Sequence, residues 1–493
     1  MVPTTVSWPA FLDGRPKGLL VDGESVEARS GRTFDTINPA TGELLATVAD
    51  ASADDVDRAV IAARRAFDGE WSRWTPYDRQ RAVVRLADLV EAHFDELSLL
   101  DTLDMGAPWT RTRLSRRAVS LLHWYAAQAV TLTGDTIPNS LPGEILSSTL
   151  REPVGVVGGI IPWNGPIPAT IWKLGPVLAT GCTLVLKPAE EAPLSPLRLG
   201  ELCVEAGIPP GVVNVVPGGA EAGAALAAHP DVDKVAFTGS VATAQAIVRA
   251  SAGNLKRLTL ELGGKSPDIV FADADLDAAV PGAGMAIFGN AGQVCSAGSR
   301  LFVERPIYDE FVARVADFGA GLKVGNGVEP DTQMGPVVSA AQLDRVLGSI
   351  AAGRREGAEA VTGGSRLVDG DLANGFFVAP TVLTGVGDDT RVAREEIFGP
   401  VLVALPFDSL DEVAHRANAT PFGLGAGVWT TDVRRAHQLS RRLRAGSVWI
   451  NTYQAMDPAV PFGGYGQSGY GRESGRDQLD EYLNVKAVWI NAG

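Results

Sequence analysis

The sequence predicts an α/β protein: an open parallel sheet covered by helices, a second α/β unit, and a small β arm. Three observations carry this. Between Pro153 and Leu260, short apolar strands alternate with amphipathic helices, the pattern of a parallel sheet with helical crossovers. After Gly264 the alternation starts again. Residues Thr131 to Arg151 alternate apolar and polar with no helical period, as an exposed hairpin or a linker would. A chain of 493 residues also exceeds what one compact core holds. The expected boundaries are 1–130 with 152–263 for the first unit, 264–470 for the second, and 131–151 with 471–493 for the arm.

Taken in order, residues 1 to about 50 read as short strands and turns, one turn at Pro39-Ala40-Thr41-Gly42. Ser52 and Asp54 are placed to cap a helix through Val56, Ala59, Val60 and Ala63. A second helix runs from near Tyr77 to Leu97, and a third carries Val119, Leu122, Trp124 and Ala127. The segment Val154 to Ile161 is apolar on both faces, as a buried parallel strand requires. Strands at Thr183–Leu186, Val212–Val216, Val235–Phe237 and Leu258–Leu260 follow. Helices at Pro166–Leu178, Ser195–Ala206, Glu221–Ala228 and Ser240–Ser251 alternate with them. The second unit has strands at Ile269–Phe271, Val401–Leu405 and Ser447–Ile450. Its helices are Leu276–Phe288, Tyr308–Leu322, Ala340–Glu356 and Leu410–Ala417. A Gly-rich loop from Pro461 to Gly471 and a strand from Val485 to Ile490 close the reading.

A formal net charge of −15 disfavours nucleic acid and anionic membranes as partners. The dense basic clusters, Arg111–Arg117 and Arg441–Arg444, read as solvated helix faces. Three cysteines and five histidines show no metal-ligand spacing, so no metal is expected. Unpaired cysteines suit a reducing cytoplasm. Met1 to Ala10 has no secretory leader pattern, and no apolar run is long enough to cross a bilayer.

Chemistry concentrates in a few loops. Gly289 to Arg300 reads Gly-Asn-Ala-Gly-Gln-Val-Cys-Ser-Ala-Gly-Ser-Arg. Its small residues let a substrate carbon approach Cys295; the loop alone leaves a nucleophile and a small core thiol equally open. Lys187 and Glu190 follow a strand, where they could grip ribose hydroxyls or form an exposed ion pair. Phe237-Thr238-Gly239-Ser240 ends a strand and opens a helix, a place for an anion or simply an N-cap. Glu261 ends a strand before two glycines and could serve as a base if burial raises its pKa. Asn164 precedes a helix, where its amide could serve an oxyanion or cap the helix. Glu396 stands beside Phe398 in a turn.

These motifs, in this order, resemble the aldehyde dehydrogenase superfamily across nearly the whole chain. The likeness is densest at Pro162-Trp163-Asn164, Lys187-Pro188-Ala189-Glu190, Phe237-Thr238-Gly239-Ser240, Glu261-Leu262-Gly263-Gly264-Lys265, Gly292-Gln293-Val294-Cys295, Glu396-Ile397-Phe398-Gly399-Pro400 and Pro461-Phe462-Gly463-Gly464. The resemblance implies a Rossmann-like NAD-binding domain, a catalytic domain and an oligomerisation arm, and NAD-dependent oxidation of an aldehyde to the acid. It implies Cys295 as nucleophile, Glu261 as base, Asn164 as oxyanion donor, and Lys173 as a further catalytic group. Lys187 and Glu190 would hold the adenosine ribose, with NAD favoured over NADP. Trp163 and Ser240 would flank the pyrophosphate, and Glu396 and Phe398 the nicotinamide end. Ile161, Pro162, Gly218, Phe237, Thr238, Gly239 and Leu262 complete the implied cofactor wall.

Three positions depart from the family's pattern. Gly165 stands where many relatives carry a bulky aromatic, and Ala169 lies four residues on. A wider tunnel for a bulky or aromatic aldehyde is expected, with Trp172, Met456 and Phe462 as further lining. Ala244 replaces a glycine after Thr-Gly-Ser, and Gly466 replaces a lysine after Gly-Gly-Tyr. The rival readings are a CoA-acylating semialdehyde dehydrogenase, which a water-activating Glu261 disfavours, a cofactor-free thiol esterase, and a non-catalytic relative. The resemblance also implies a homo-dimer or tetramer, with Thr131–Arg151 and residues 485–490 pairing across subunits.

Overall fold

The computed structural model describes residues 8–493. The leader reading of Met1 to Ala10 therefore falls mostly outside the described residues. Two large sheets dominate. The first has eight strands, five of them parallel: in sheet order Arg257–Leu262, Lys234–Gly239, Val156–Ile160, Thr183–Lys187 and Val213–Val215. The strand earliest in sequence lies at the centre, so the order reverses between Val156–Ile160 and Lys234–Gly239. A crevice opens at the carboxyl ends at such a switch point. The five strands are mostly apolar and helices cover both faces, as the alternating sequence predicts, with Lys187, Asn214, Lys234 and Glu261 among the buried polar exceptions.

The second sheet has seven strands. Two that the sequence reading lacks, Arg300–Glu304 and Gly425–Trp429, flank Pro267–Val270 at its middle. A helix at Val433–Arg442 and the antiparallel pair Glu359–Thr362 and Thr381–Thr384 are also new.

Other differences have simple causes. The long helix expected from Tyr77 to Leu97 is two, Pro76–Ala92 and Phe94–Met105, broken at His93, which leaves the helical basin (ψ 11°). Ser52 does cap Ala53–Asp68, but Asp55, not Asp54, returns the bond to the Ser52 N–H. Arg111 is half-buried rather than freely solvated, and burial pulls its pKa down.

The arm also differs. Ile145–Pro153 pairs antiparallel with Leu483–Asn491 over nine residues and with Thr136–Ile137 on its other edge. The two segments expected to meet across subunits thus meet within one chain, while Val485, Trp489 and Ile490 remain exposed. Residues before Leu483 do not join the arm. Gly469–Tyr470 extends the first sheet beside Arg257–Leu262, and Glu473, Gln478 and Tyr482 are buried in the body. Among the described residues, no helix is long and apolar enough to cross a membrane, and no group of three or more metal-binding side chains occurs.

Candidate active site

The two sheets face each other across a crevice, and the loop carrying Cys295 forms one wall of it. That loop leaves helix Leu276–Phe288 through Asn290 (φ 56°), Ala291 (φ 52°) and Gly292 (φ 72°). Three successive left-handed residues are rare outside functional turns. A side chain at Gly292 would collide with the Gly399 carbonyl, so the Glu396–Pro400 turn packs directly on the cysteine loop. A Cβ at Gly264 would lie 2.9 Å from the Cys295 carbonyl oxygen. The glycines flanking Glu261 and Cys295 are therefore close-approach positions. Cys295 is half-buried, whereas Cys182 and Cys203 are buried. Burial raises the Cys295 thiol above its usual pKa, and the nearby Glu261 and Glu396 carboxyls raise it further.

Asn164 reaches this loop from the first sheet. Its Nδ2 donates to the Gln293 carbonyl at 2.8 Å, and the Asn290 amide donates back to the Asn164 carbonyl at 3.1 Å. Gly165, not Asn164, is the N-cap of helix Pro166–Thr180, with no side-chain cap bond. One N–H of the Asn164 amide is thus engaged by the loop and the other is left for a ligand.

Glu261 ends its strand only 4% exposed, and both carboxyl oxygens lack a hydrogen-bond partner. Burial raises its pKa well above the carboxylate range, and Glu473 adds to this; Lys173 and Arg472 oppose it. Lys173 is fully buried, ion-paired to Glu473 and donating to the Thr238 hydroxyl at 2.8 Å. Gln478 Nε2 holds the other Glu473 oxygen at 2.8 Å. The sequence reading includes Lys173 but misses its partner Glu473, whose signal is one more acid in a Gly-rich loop.

The remaining expected residues fall along the same crevice. Ile161, Pro162 and Trp163 leave the end of Val156–Ile160, and Gly218 follows Val213–Val215. Lys187 Nζ donates to Glu190 Oε2 at 3.2 Å. Gly219, the N-cap of helix Ala220–Ala228, lies so close that a Cβ there would stand 3.4 Å from Glu190 Oε1. Phe237, Thr238 and Gly239 finish Lys234–Gly239, and Leu262 finishes the neighbouring strand. Ser240 caps helix Val241–Ala250, accepting the Thr243 N–H at 3.2 Å; Ala244 is buried in its first turns. Glu396 Oε1 accepts the Gly264 N–H at 3.1 Å. Phe398, at φ 59°, meets Trp163 edge to face at 5.3 Å.

A cavity of about 390 Å³ approaches from the opposite side, lined by Pro168, Trp172, Tyr453, Gln454 and Met456 among others. Trp172 stacks on Phe462 at 6.3 Å, and Cys295 and Tyr453 pack against the small cluster that contains Phe462. A Cβ at Gly165 would meet only Pro168, at 3.3 Å. Ala169, expected to share that wall, is instead buried in the core of the first unit. The helix turns Pro168, three residues on, towards Gly165.

This crevice fits a dinucleotide. A lysine–carboxylate pair at a strand end, two helix N-termini beyond the carboxyl ends of strands in the same sheet and an aromatic wall at the far end provide ribose, phosphate and ring contacts.

The aldehyde dehydrogenase family profile matches residues 26–488. The chain is 52% identical over 485 residues to DhaS of Bacillus subtilis (strain 168), whose name carries the same activity, covering 98% of this chain and 97% of that one. It is 48% identical over 475 residues to the mitochondrial benzaldehyde dehydrogenase of Antirrhinum majus, covering 95% of this chain and 88% of that one. The NAD+ complex of an aldehyde dehydrogenase from Bacillus cereus aligns with a TM-score of 0.95 at 49% identity, over 98% of each chain.

Proposed function

The chain belongs to the aldehyde dehydrogenase family, and on that premise we propose that it oxidises an aldehyde to the carboxylic acid with NAD, through Cys295. The observation that carries this is the convergence on one half-buried thiol of a buried, unbonded Glu261 and of Asn164 from the opposite sheet.

Cys295, as thiolate, adds to the aldehyde carbon, and the free N–H of Asn164 meets the oxygen that becomes negative. NAD, when bound, supplies the two-electron acceptor that converts this adduct to a thioester. Glu261 then takes a proton from water, whose oxygen attacks the thioester carbon and releases the acid and the thiol. Lys187 and Glu190 hold the adenosine ribose; the Glu190 carboxylate repels a 2′-phosphate and so favours NAD over NADP. Lys173 acts through Glu473 and Thr238 as a positioning residue beside Glu261.

The open side of Gly165 supports a bulky or aromatic aldehyde, and the benzaldehyde dehydrogenase relative supports the same reading. The exposed apolar strand Leu483–Asn491 supports assembly into a dimer or tetramer. Unpaired cysteines support a cytoplasmic setting.

The test is NADH release from aliphatic, aromatic and amino aldehydes, with and without CoA. NADH with free acid as product, independent of CoA, supports the proposal. A strict need for CoA, or ester hydrolysis with no NADH from any aldehyde, defeats it.

A further inference from the structure

The stretch Arg111–Arg117 holds four arginines, and they divide into two kinds. Arg113 pairs with Asp95 at 3.2 Å and Arg116 with Glu91 at 3.0 Å. Arg111 and Arg117, among the described residues, have no carboxylate within 4.0 Å and no hydrogen-bond partner. Both line the cavity of about 390 Å³ that Trp172 and Tyr453 also line, and Tyr453 packs with Cys295 against one small apolar cluster. Arg111 also lines an adjoining cavity of about 330 Å³, together with Tyr453 and Gln454.

Two further facts point to a missing acceptor. Gln454 lines both cavities, and its Nε2 is shielded from water and lacks a partner. Its backbone is held at φ 55°, an uncommon conformation for a residue with a side chain. A buried donor without an acceptor is costly, so the Gln454 amide points to a ligand that supplies one, with the two unpaired guanidinium groups beside it on the same cavity wall. Arg111 is steadied where it stands. Its Nη1 lies 2.9 Å from the position of a Cβ on Gly289, at the carboxyl end of helix Leu276–Phe288, where a cation is favoured. The one carboxylate lining this cavity, Asp457, accepts the Ala459 N–H at 2.9 Å within its own loop and pairs with neither arginine.

We propose that Arg111, Arg117 and Gln454 receive a carboxylate at the far end of the substrate, so that the preferred substrates are aldehydes carrying an acid group away from the reacting carbon. A planar guanidinium matches a carboxylate with two parallel bonds. This rests on the aldehyde dehydrogenase reading and names the substrate class of the same site.

The test compares acids with their primary amides, which share shape but not charge. The pairs are 4-formylbenzoate with 4-formylbenzamide, and straight-chain ω-oxo acids of about four to nine carbons with their amides. NADH release is the readout. In at least one pair the acid exceeds the amide in kcat/KM by about tenfold or more, chiefly through KM, and added salt narrows the gap. Arg111→Met and Arg117→Met each bring that ratio towards one, while Arg113→Met preserves it. Arg117 is exposed, so its variant stays informative if Arg111→Met disturbs the cysteine loop. Amides equal to or better than acids in every pair overturn the proposal, as does an acid preference that survives the double variant. NADH from neither acids nor amides, nor from any plain aldehyde, overturns instead the family reading beneath it, and this inference with it.

Discussion

Asn164 Nδ2 lies 2.8 Å from the Gln293 carbonyl oxygen, two residues before Cys295. One side chain thus ties the end of the first sheet to the loop that carries the thiol. Asn164→Ala removes both that tie and the donor facing the substrate oxygen. The expected loss in kcat is about 10²- to 10³-fold, with NAD affinity nearly unchanged by fluorescence titration. A loss confined to KM would remove the oxyanion role.

Cys295→Ala should abolish NADH release while NAD still binds. Cys182→Ala and Cys203→Ala, at buried positions, should change stability rather than the chemical step. Wild-type turnover in Cys295→Ala would end the assignment.

Glu261 predicts a pH profile. Its pKa is raised by burial, so the carboxylate form gains population only as pH rises. Because the base form is the working one, kcat increases from neutral towards alkaline pH. Glu261→Gln should remove that rise in the acid-releasing step and lower kcat by about 10²- to 10⁴-fold. In the proposed mechanism thioester formation precedes the step that Glu261 serves, so stopped-flow should still show a burst of about one NADH per site. Absence of the burst would assign Glu261 to the first step instead.

Gly165→Phe tests the width of the tunnel. The backbone there is extended (φ −170°) and only Pro168 is near, so the variant should fold. The expected outcome is a drop in kcat/KM for benzaldehyde-sized substrates of tenfold or more, about the effect of a few methylenes of lost fit, with acetaldehyde little affected. Equal effects on both would remove the widening argument.

Lys173 and Glu473 are both buried and paired. Lys173→Met leaves a buried carboxylate without its partner and should cost about 3–5 kcal/mol of unfolding free energy in urea titration. Adding Glu473→Leu should return part of that loss. Additive costs would mean that the pair does not interact.

Much of this architecture is legible in the sequence because its signals are local. The buried parallel strands are mostly apolar, and some helices carry their own caps, as at Ser52 and Ser240. The interior strand Gly425–Trp429 is not legible: two of its five residues are glycine, which weakens any strand signal. Gly427 is needed because a Cβ there would collide with Asp268 and Tyr453, a reason visible only in three dimensions. Cys295, Glu261 and Asn164 are candidates that the sequence offers through flanking glycines and strand ends. Glu473, Gln293 and Gln454 are not, since their contacts lie with partners remote in sequence. His93 breaks a helix that its apolar period would continue. The arm's alternation marks a strand but not which edge it joins.

Glu473 joins Lys173 from 300 residues downstream. At ribosomal speeds of about 5–20 residues per second, an interval of about 15–60 s separates the synthesis of the two. Throughout that interval Lys173 lacks the carboxylate it pairs with in the folded chain, and enclosing an ammonium without its partner is costly. Final closure of the first unit around Lys173 thus waits for the segment that carries Glu473, a window in which a holding chaperone has something to grip.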